Sequence, residues 1–170
     1  MGGDTISHNS TVAERTRSGL VKPQNRKYLG SKYRLIDFLT DTILSRVDRI
    51  GVFTDLFAGT GVVGCAFRAH ASKIIANDFL YSNYVVNRVF LASTQDSVDP
   101  DRVADLLEEL NRSAPVRGYA HANYSSTYFT EENAARIDGI REGIEILAAQ
   151  ERCTPQERNI LLASLLFAVD

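Results

Sequence analysis

The 170-residue sequence predicts an α/β fold, and three observations carry that expectation. Residues 52–57 (VFTDLF) and 73–77 (KIIAN) are short apolar runs of strand length, the second bounded by polar residues. Between them, residues 59–64 (GTGVVG) form a glycine-rich turn that opens a helix over about residues 62–69. The stretch therefore reads as one β-α-β unit, and apolar residues recur at helical spacing on both sides of it.

Taken in order, residues 1–24 are rich in Ser, Thr, Gly and charge without an apolar period, and are expected to be a disordered basic leader. Ser31 is a plausible N-cap for a first helix running to about Arg49, with Leu35, Ile36, Leu39, Ile43 and Val47 as its stripe. After the β-α-β unit, a helix is expected over about residues 81–93. Another opens at Asp99 and Pro100, an N-cap followed by an N1 proline, and carries Val103, Leu106, Leu107 and Leu110 on one face. Residues 112–129, with Pro115, Gly118 and a cluster of Tyr and Asn, read as a loop. Its aromatics, Tyr119, Tyr124, Tyr128 and Phe129, could stack on bases, but packing in the core is the favoured expectation. Thr130 caps a further helix with Ile137, Ile140, Ile144 and Leu147 as its stripe. The last helix has the strongest cap, T-P-Q-E over residues 154–157, and then runs apolar almost all round.

Composition excludes several classes. The chain is 44% hydrophobic and 24% charged, which is ordinary globular composition. The longest strongly apolar run, residues 160–169, is half of the roughly 20 residues that span a bilayer. No apolar signal-peptide core is seen, so a cytoplasmic location and no membrane partner are expected. Met1-Gly2 lacks the Ser or Thr at position six that myristoylation requires. Cys65 and Cys153 lie far apart, and His8, His70 and His121 share no ligand spacing, so no metal is expected and both cysteines read as packing residues. The net charge of −2 hides an asymmetry: residues 1–49 carry nine Lys/Arg against five Asp/Glu (+4), the remainder ten against sixteen (−6). Such a basic segment is compatible with a phosphate backbone or with a solvated leader.

The glycine turn is the candidate site. Alone, G-x-G-x-x-G is a weak signal shared by many nucleotide binders. Asp55, four residues before Gly59, would disfavour a pyrophosphate by about 1 to 4 kcal/mol at effective dielectrics of about 80 to 20. S-adenosylmethionine carries an ammonium and a sulfonium and no phosphate, so an acid there suits its methionine end. Capping the turn is the alternative role for Asp55. Asp78, directly after the second strand, stands where an acid can accept both ribose hydroxyls, which supports a nucleoside cofactor without choosing between NAD and S-adenosylmethionine.

Three segments in order, R-K-Y-L-G-S-K (residues 26–32), D-L-F-A-G-T-G (55–61) and A-N-D-F (76–79), make the chain resemble the N6-adenine-specific DNA methyltransferases, in the group whose cofactor motifs precede the catalytic one. Residues 123–141 also look like the region after the cofactor half in restriction-modification enzymes of that family, so the resemblance covers about residues 25–170. It implies a Rossmann-like S-adenosylmethionine-dependent methyltransferase fold, incomplete at its C-terminus, with a helical segment after the first β-α-β unit. The implied cofactor residues are Tyr28, Gly30, Lys32, Asp55, Phe57, Gly59, Gly61 and Asp78. The implied organisation is a cofactor-binding half over residues 25–95 and a helical segment over 96–170, truncated before the catalytic motif. Double-stranded DNA is the implied partner of the complete enzyme, with a cognate restriction endonuclease as system partner.

The family's catalytic D/N-P-P-(Y/F) motif is absent: Pro23, Pro100, Pro115 and Pro155 are all isolated. No catalytic residue is assigned, and the chain alone is expected to bind cofactor weakly or not at all and not to methylate. The rival readings are a NAD- or flavin-dependent oxidoreductase using G-T-G-V-V-G, and a non-catalytic assembly module or split-enzyme subunit.

Overall fold

The computed structural model describes residues 32–91 and 98–169. The predicted leader, the Ser31 cap and the candidate residues Tyr28 and Gly30 lie outside them. A single turn of 3-10 helix, Tyr33–Leu35, leads into α1 (Ile36–Leu44). Then follow β1 (Ile50–Asp55), α2 (Val62–Phe67), β2 (Ala71–Ala76), α3 (Tyr81–Phe90), α4 (Pro100–Asn111), α5 (Tyr119–Tyr124), α6 (Glu131–Ala149) and α7 (Pro155–Ala168). This is a mixed α/β chain whose described strands form one two-stranded parallel sheet.

The strands pair in parallel from Ile50 with Ala71 to Asp55 with Ala76, and α2 makes the crossover. Ile50, Val62, Val63 and Phe67 form the buried centre beneath the sheet, with Ile36, Leu39, Ile43, Phe53 and Ile74 packed on it. Phe53 and Phe67 stack at a centroid distance of 4.2 Å. The predicted stripe of α1 is thus half right: Ile36, Leu39 and Ile43 reach the core, while Leu35 and Val47 are exposed. The helix also stops at Leu44, earlier than expected, because Ser45 Oγ and Arg46 Nη1 both donate to the carbonyl of Thr42 and close its last turn. β1 ends at Asp55, two residues before the expected end. The Phe57 amide donates to Asp55 Oδ1 at 3.1 Å, an Asx turn that takes Leu56 and Phe57 out of the strand.

A second centre, Leu106, Leu110, Ile144, Leu147, Cys153 and Leu161, joins α4, α6 and α7. The caps foreseen at Asp99, Thr130 and Thr154 are all present, and Thr154 and Glu157 form a complete capping box. Buried Glu157 does double duty, since its second oxygen pairs with Arg102 Nε at 3.0 Å. Arg158 of α7 joins α7 to both α6 and α3. It holds Glu145 of α6 through a forked contact at 2.7 to 3.0 Å and donates to the Tyr81 hydroxyl of α3 at 3.3 Å. These partners hold the guanidinium well above its ordinary pKa, led by the Glu145 bond.

Residues 112–129 correct the loop expectation, because they contain α5. No local cap signal announces it. Its free amides are taken from a distance: Asp138, buried on α6, accepts from the backbone N–H of Gly118 (3.0 Å), Ala120 (2.9 Å) and His121 (2.8 Å). A remote carboxylate thus does what an N-cap does, with the same preference for negative charge at a helix start. Gly118 leaves room for that approach, since a Cβ there would lie 2.9 Å from the Asp138 carboxyl carbon.

Replacing Asp138 by Ala strands three amides in a partly closed space. Equilibrium denaturation should show a loss of about 2 to 4 kcal/mol, with the helical signal of α5 lost first. A change below about 0.5 kcal/mol would show that water satisfies those amides equally well.

Candidate functional site

The parallel pairing brings the C-terminal ends of β1 and β2 to one edge of the sheet, and with them Asp55 and Asp78. The joint is stitched by backbone bonds: Asn77 N donates to the Asp55 carbonyl (2.8 Å) and Ala58 N to the Asn77 carbonyl (2.9 Å). Asn77 Nδ2 adds a bond to the Leu56 carbonyl at 3.0 Å. Between the strand ends the chain must turn sharply into α2. Gly59 (φ 55°) and Gly61 (φ 80°) adopt the left-handed conformation that other residues reach only at a cost of about 1 to 2 kcal/mol.

Asp78 is bound into that turn. Its Oδ2 accepts from Gly59 N at 2.8 Å, and its Oδ1 from Leu80 N (3.0 Å) and Asn83 Nδ2 (2.9 Å). Burial acts to raise its pKa, but the Leu80, Asn83 and Gly59 bonds and the nearby Lys32 charge outweigh it, so the carboxyl sits below its ordinary 3.8. One turn further along α3, Asn87 Nδ2 donates to the Gly59 carbonyl (3.0 Å) and the Asn83 carbonyl (2.8 Å). Asn83 and Asn87 were not singled out in the sequence. The signal that could have found them is two asparagines at i and i+4 just after the acid, on one face of a helix.

Lys32, arriving from before α1, completes the cluster. Its ammonium lies 3.6 Å from Asp55 Oδ1 and donates to the Phe57 carbonyl. Asp55 Oδ2 is buried and has no hydrogen-bond partner among the described residues. A buried carboxylate oxygen without a donor is costly, which makes it a ready acceptor for a cationic ligand group. Beside it, Lys32 offers a positive charge to an anionic one. Together the pair presents opposite charges a few ångströms apart, the complement of an α-amino acid head group. The side chains of Phe57 and Phe79, which follow Asp55 and Asp78 in sequence, are largely exposed, Phe79 at 98%.

Six of the eight sequence-derived site residues, Lys32, Asp55, Phe57, Gly59, Gly61 and Asp78, therefore lie together along one strand edge and its turn. The aromatic segment corrects an expectation. Tyr119 and Tyr128 are 71% and 74% exposed and Tyr124 is 38% exposed, so these rings do not pack in the core. It is Ala120 that is buried on α5, and its backbone amide is among those that bond Asp138 of α6. The cysteines behave as packing residues: burial pushes the Cys65 thiol up to about 11 against the opposing Arg68 charge, and Cys153 is buried in the helical centre. Among the described residues no cluster of three or more His, Cys, Asp or Glu could hold a metal ion, and no helix is long and apolar enough to cross a membrane.

The model of the D12 class N6 adenine-specific DNA methyltransferases matches residues 28–170. Among curated proteins, the type II methyltransferase M.NlaIII of Neisseria lactamica is 34% identical over 155 residues, covering 84% of this chain and 45% of the relative. M.CviAII of Paramecium bursaria Chlorella virus 1 is 34% identical over 149 residues, 84% and 44% respectively. The modification methylase LlaI of Lactococcus lactis subsp. lactis is 34% identical over 154 residues, 84% and 25%. The chain thus spans less than half the length of these relatives. No solved structure matches it significantly.

Two outcomes follow from the loop geometry. A Cβ at Gly61 would lie 2.2 Å from Asn87 Oδ1, so Gly61→Ala should cost about 2 to 3 kcal/mol of strain and displaced contact. Part should return in the Gly61→Ala, Asn87→Ala pair, leaving a coupling that a double-mutant cycle in urea reads directly; strict additivity would separate the two residues. Asp78 ionises below its unfolded value, so its contribution is present above about pH 4 and lost as pH falls through the folded pKa. Stability measured from pH 6 down to pH 2.5 should fall less steeply in Asp78→Asn than in the parent. An identical slope would remove Asp78 from the acid limb.

Proposed function

Since the chain belongs to the D12 class of N6 adenine-specific DNA methyltransferases, we propose that residues 25–95 are the S-adenosylmethionine-binding β-α-β half of a Rossmann-like methyltransferase domain. The observation that carries the reading is the buried Asp55 Oδ2, without a hydrogen-bond partner among the described residues, beside the Lys32 ammonium. Asp55 takes the ammonium of the methionine part, and Lys32 its carboxylate. Gly59 and Gly61 keep the turn free of side chains, so that backbone can approach the ligand beside Phe57; Tyr28 and Gly30, outside the described residues, are assigned to the cofactor set by the family resemblance alone. Asp78 has three of about four acceptor sites filled by its own chain. It therefore offers one acceptor to a ribose hydroxyl, and a second hydroxyl is bound only by displacing one of the three donors, Gly59 N, Leu80 N or Asn83 Nδ2. Phe79, exposed next to that acid, is the ring available to stack on the adenine.

Bound there, the cofactor supplies an electrophilic methyl group on its sulfonium. The acceptor is adenine N6 in double-stranded DNA, taken out of the stack; the names of two relatives, type II methyltransferases, support a modification role, with a cognate restriction endonuclease as the proposed system partner. Methyl transfer needs the attacking nitrogen held at about 3 to 3.5 Å from the methyl carbon. The group that would hold it, a D/N-P-P-(Y/F) segment, is not in residues 1–170. We therefore assign this chain the donor half of the reaction and expect it to be inactive alone. The exposed apolar residues Val52 and Ile75 on the outer sheet face favour a further polypeptide segment packing there. Residues 96–170 are the helical segment of the same domain. The oxidoreductase reading is set aside by the family match.

The test is direct. The purified chain, incubated with tritiated S-adenosylmethionine and duplex DNA, should transfer no methyl above background; tritium on adenine would overturn the donor-half reading. In a longer chain that includes the proline-proline segment, S-adenosylhomocysteine should raise the melting temperature and NADH should not. A rise with NADH alone would overturn the cofactor assignment.

A further inference from the structure

The three tyrosines around α5 are not explained by the cofactor seat or by the core. Tyr119 and Tyr124 meet edge to face at a centroid distance of 5.9 Å, and Tyr124 and Tyr128 do the same at 5.8 Å. They form a continuous aromatic strip whose outer two rings are 71% and 74% exposed. The strip is rigidly mounted. Asp138 fixes the start of α5 through three amides. After α5, Tyr128 N and Phe129 N both donate to the Tyr124 carbonyl (3.0 and 3.1 Å), and Ser126 N donates to the Phe129 carbonyl (2.8 Å). Ser126 stands in the left-handed region at φ 62°, a conformation that a casual surface loop has no need to hold.

The charge around the strip singles out one kind of partner. Residues 111–130 hold Arg112, Arg117 and His121 and no acidic residue, with the exposed Glu131 and Glu132 following at the start of α6, although residues 50–170 as a whole carry ten basic against sixteen acidic side chains. Arg112 is paired with Glu108. Arg117, two residues before Tyr119, is exposed and makes no ion pair among the described residues. Exposed π-faces beside an unpaired cation match a polyanion that carries free aromatic faces, which is nucleic acid with unpaired bases. A continuous duplex hides those faces in its stack.

We propose that Tyr119, Tyr124 and Tyr128 form a stacking platform for unpaired or extrahelical nucleobases, with Arg117 holding the adjacent phosphate. The proposal deepens the reading of the chain as part of a DNA-modifying enzyme and rests on it for the identity of the polymer. It assigns the helical segment a role in holding DNA whose pairing has been opened, at a place separate from the cofactor seat.

The test uses the 170-residue chain and fluorescently labelled oligonucleotides: a single strand, a duplex with one unpaired base, and a fully paired duplex. Fluorescence anisotropy should show the first two bound more tightly than the third. Tyr119→Ala with Tyr128→Ala should weaken single-strand binding about tenfold or more, whereas the double Phe variant should stay within about threefold, because stacking needs the ring and not the hydroxyl. Arg117→Ala should lower affinity for every oligonucleotide and flatten the salt dependence by about one phosphate contact. Circular dichroism controls for folding. Unchanged binding in the Ala variant, an equal loss in the Phe variant, or a preference for the paired duplex would each overturn the proposal. So would loss of self-association in the Ala variant without any change in oligonucleotide binding, which would make the strip a protein contact. An NMR response of the Gly59 and Gly61 amides to S-adenosylhomocysteine, measured in the same Ala variant, reads the cofactor seat independently of either result.

Discussion

The hydrogen bonds by which α3 grips the glycine turn are the constraint on which the site depends. Asp78 holds Gly59 by its amide, Asn87 holds the same residue by its carbonyl, and Asn83 links the two side chains' supports. With Gly59 fixed from both sides, the turn has little freedom left, and the left-handed geometry of Gly59 and Gly61 is held in place. The position of Asp55 follows from it. Its backbone carbonyl is tied to Asn77 N and its Oδ1 to Phe57 N, which leaves Oδ2 as the oxygen without a partner among the described residues. A receptor for a cationic group is preorganised when its acceptor is fixed and already desolvated before the ligand arrives.

The sheet supplies the other half of the arrangement. A parallel pair puts both strand ends on one side, and a crossover helix between them puts its free N–H groups there too. Two acids separated by more than twenty residues of sequence are brought to one edge without any long-range specificity beyond the register of two six-residue strands. Lys32 then brings a positive charge to the edge, 3.6 Å from Asp55, and helps to hold the Asp78 carboxyl below its ordinary pKa.

Much of this was legible in the sequence, for physical reasons that differ between elements. The caps at Asp99, Thr130 and Thr154 are local chemistry, and they were found because the side chain and the amide it serves lie within three residues. The β-α-β unit was found because apolar runs and a glycine turn are local patterns as well. What escaped notice was set by distance. α5 exists because Asp138, far along the chain, caps it, and the propensities of residues 112–129 carry no trace of that carboxylate. The tyrosines were expected in the core because large rings usually go there, and their exposure is decided by how α5 lies on α6. Within the site, the acids and glycines were identified from motif spacing, while Asn83 and Asn87 were missed because an asparagine pair on a helix is unremarkable until its partner is known.

The central claim is that Asp55 and its surroundings form a seat for a ligand carrying an α-ammonium and no phosphate. NMR titration of the isotopically labelled chain at millimolar ligand reads this even where binding is weak. The amides of Phe57, Gly59 and Gly61 should shift with S-adenosylhomocysteine and require about ten times more of its analogue lacking the α-amino group, the difference expected of one charge-assisted bond. Equal titration by the two ligands, or shifts at those amides with NADH instead, would contradict the account.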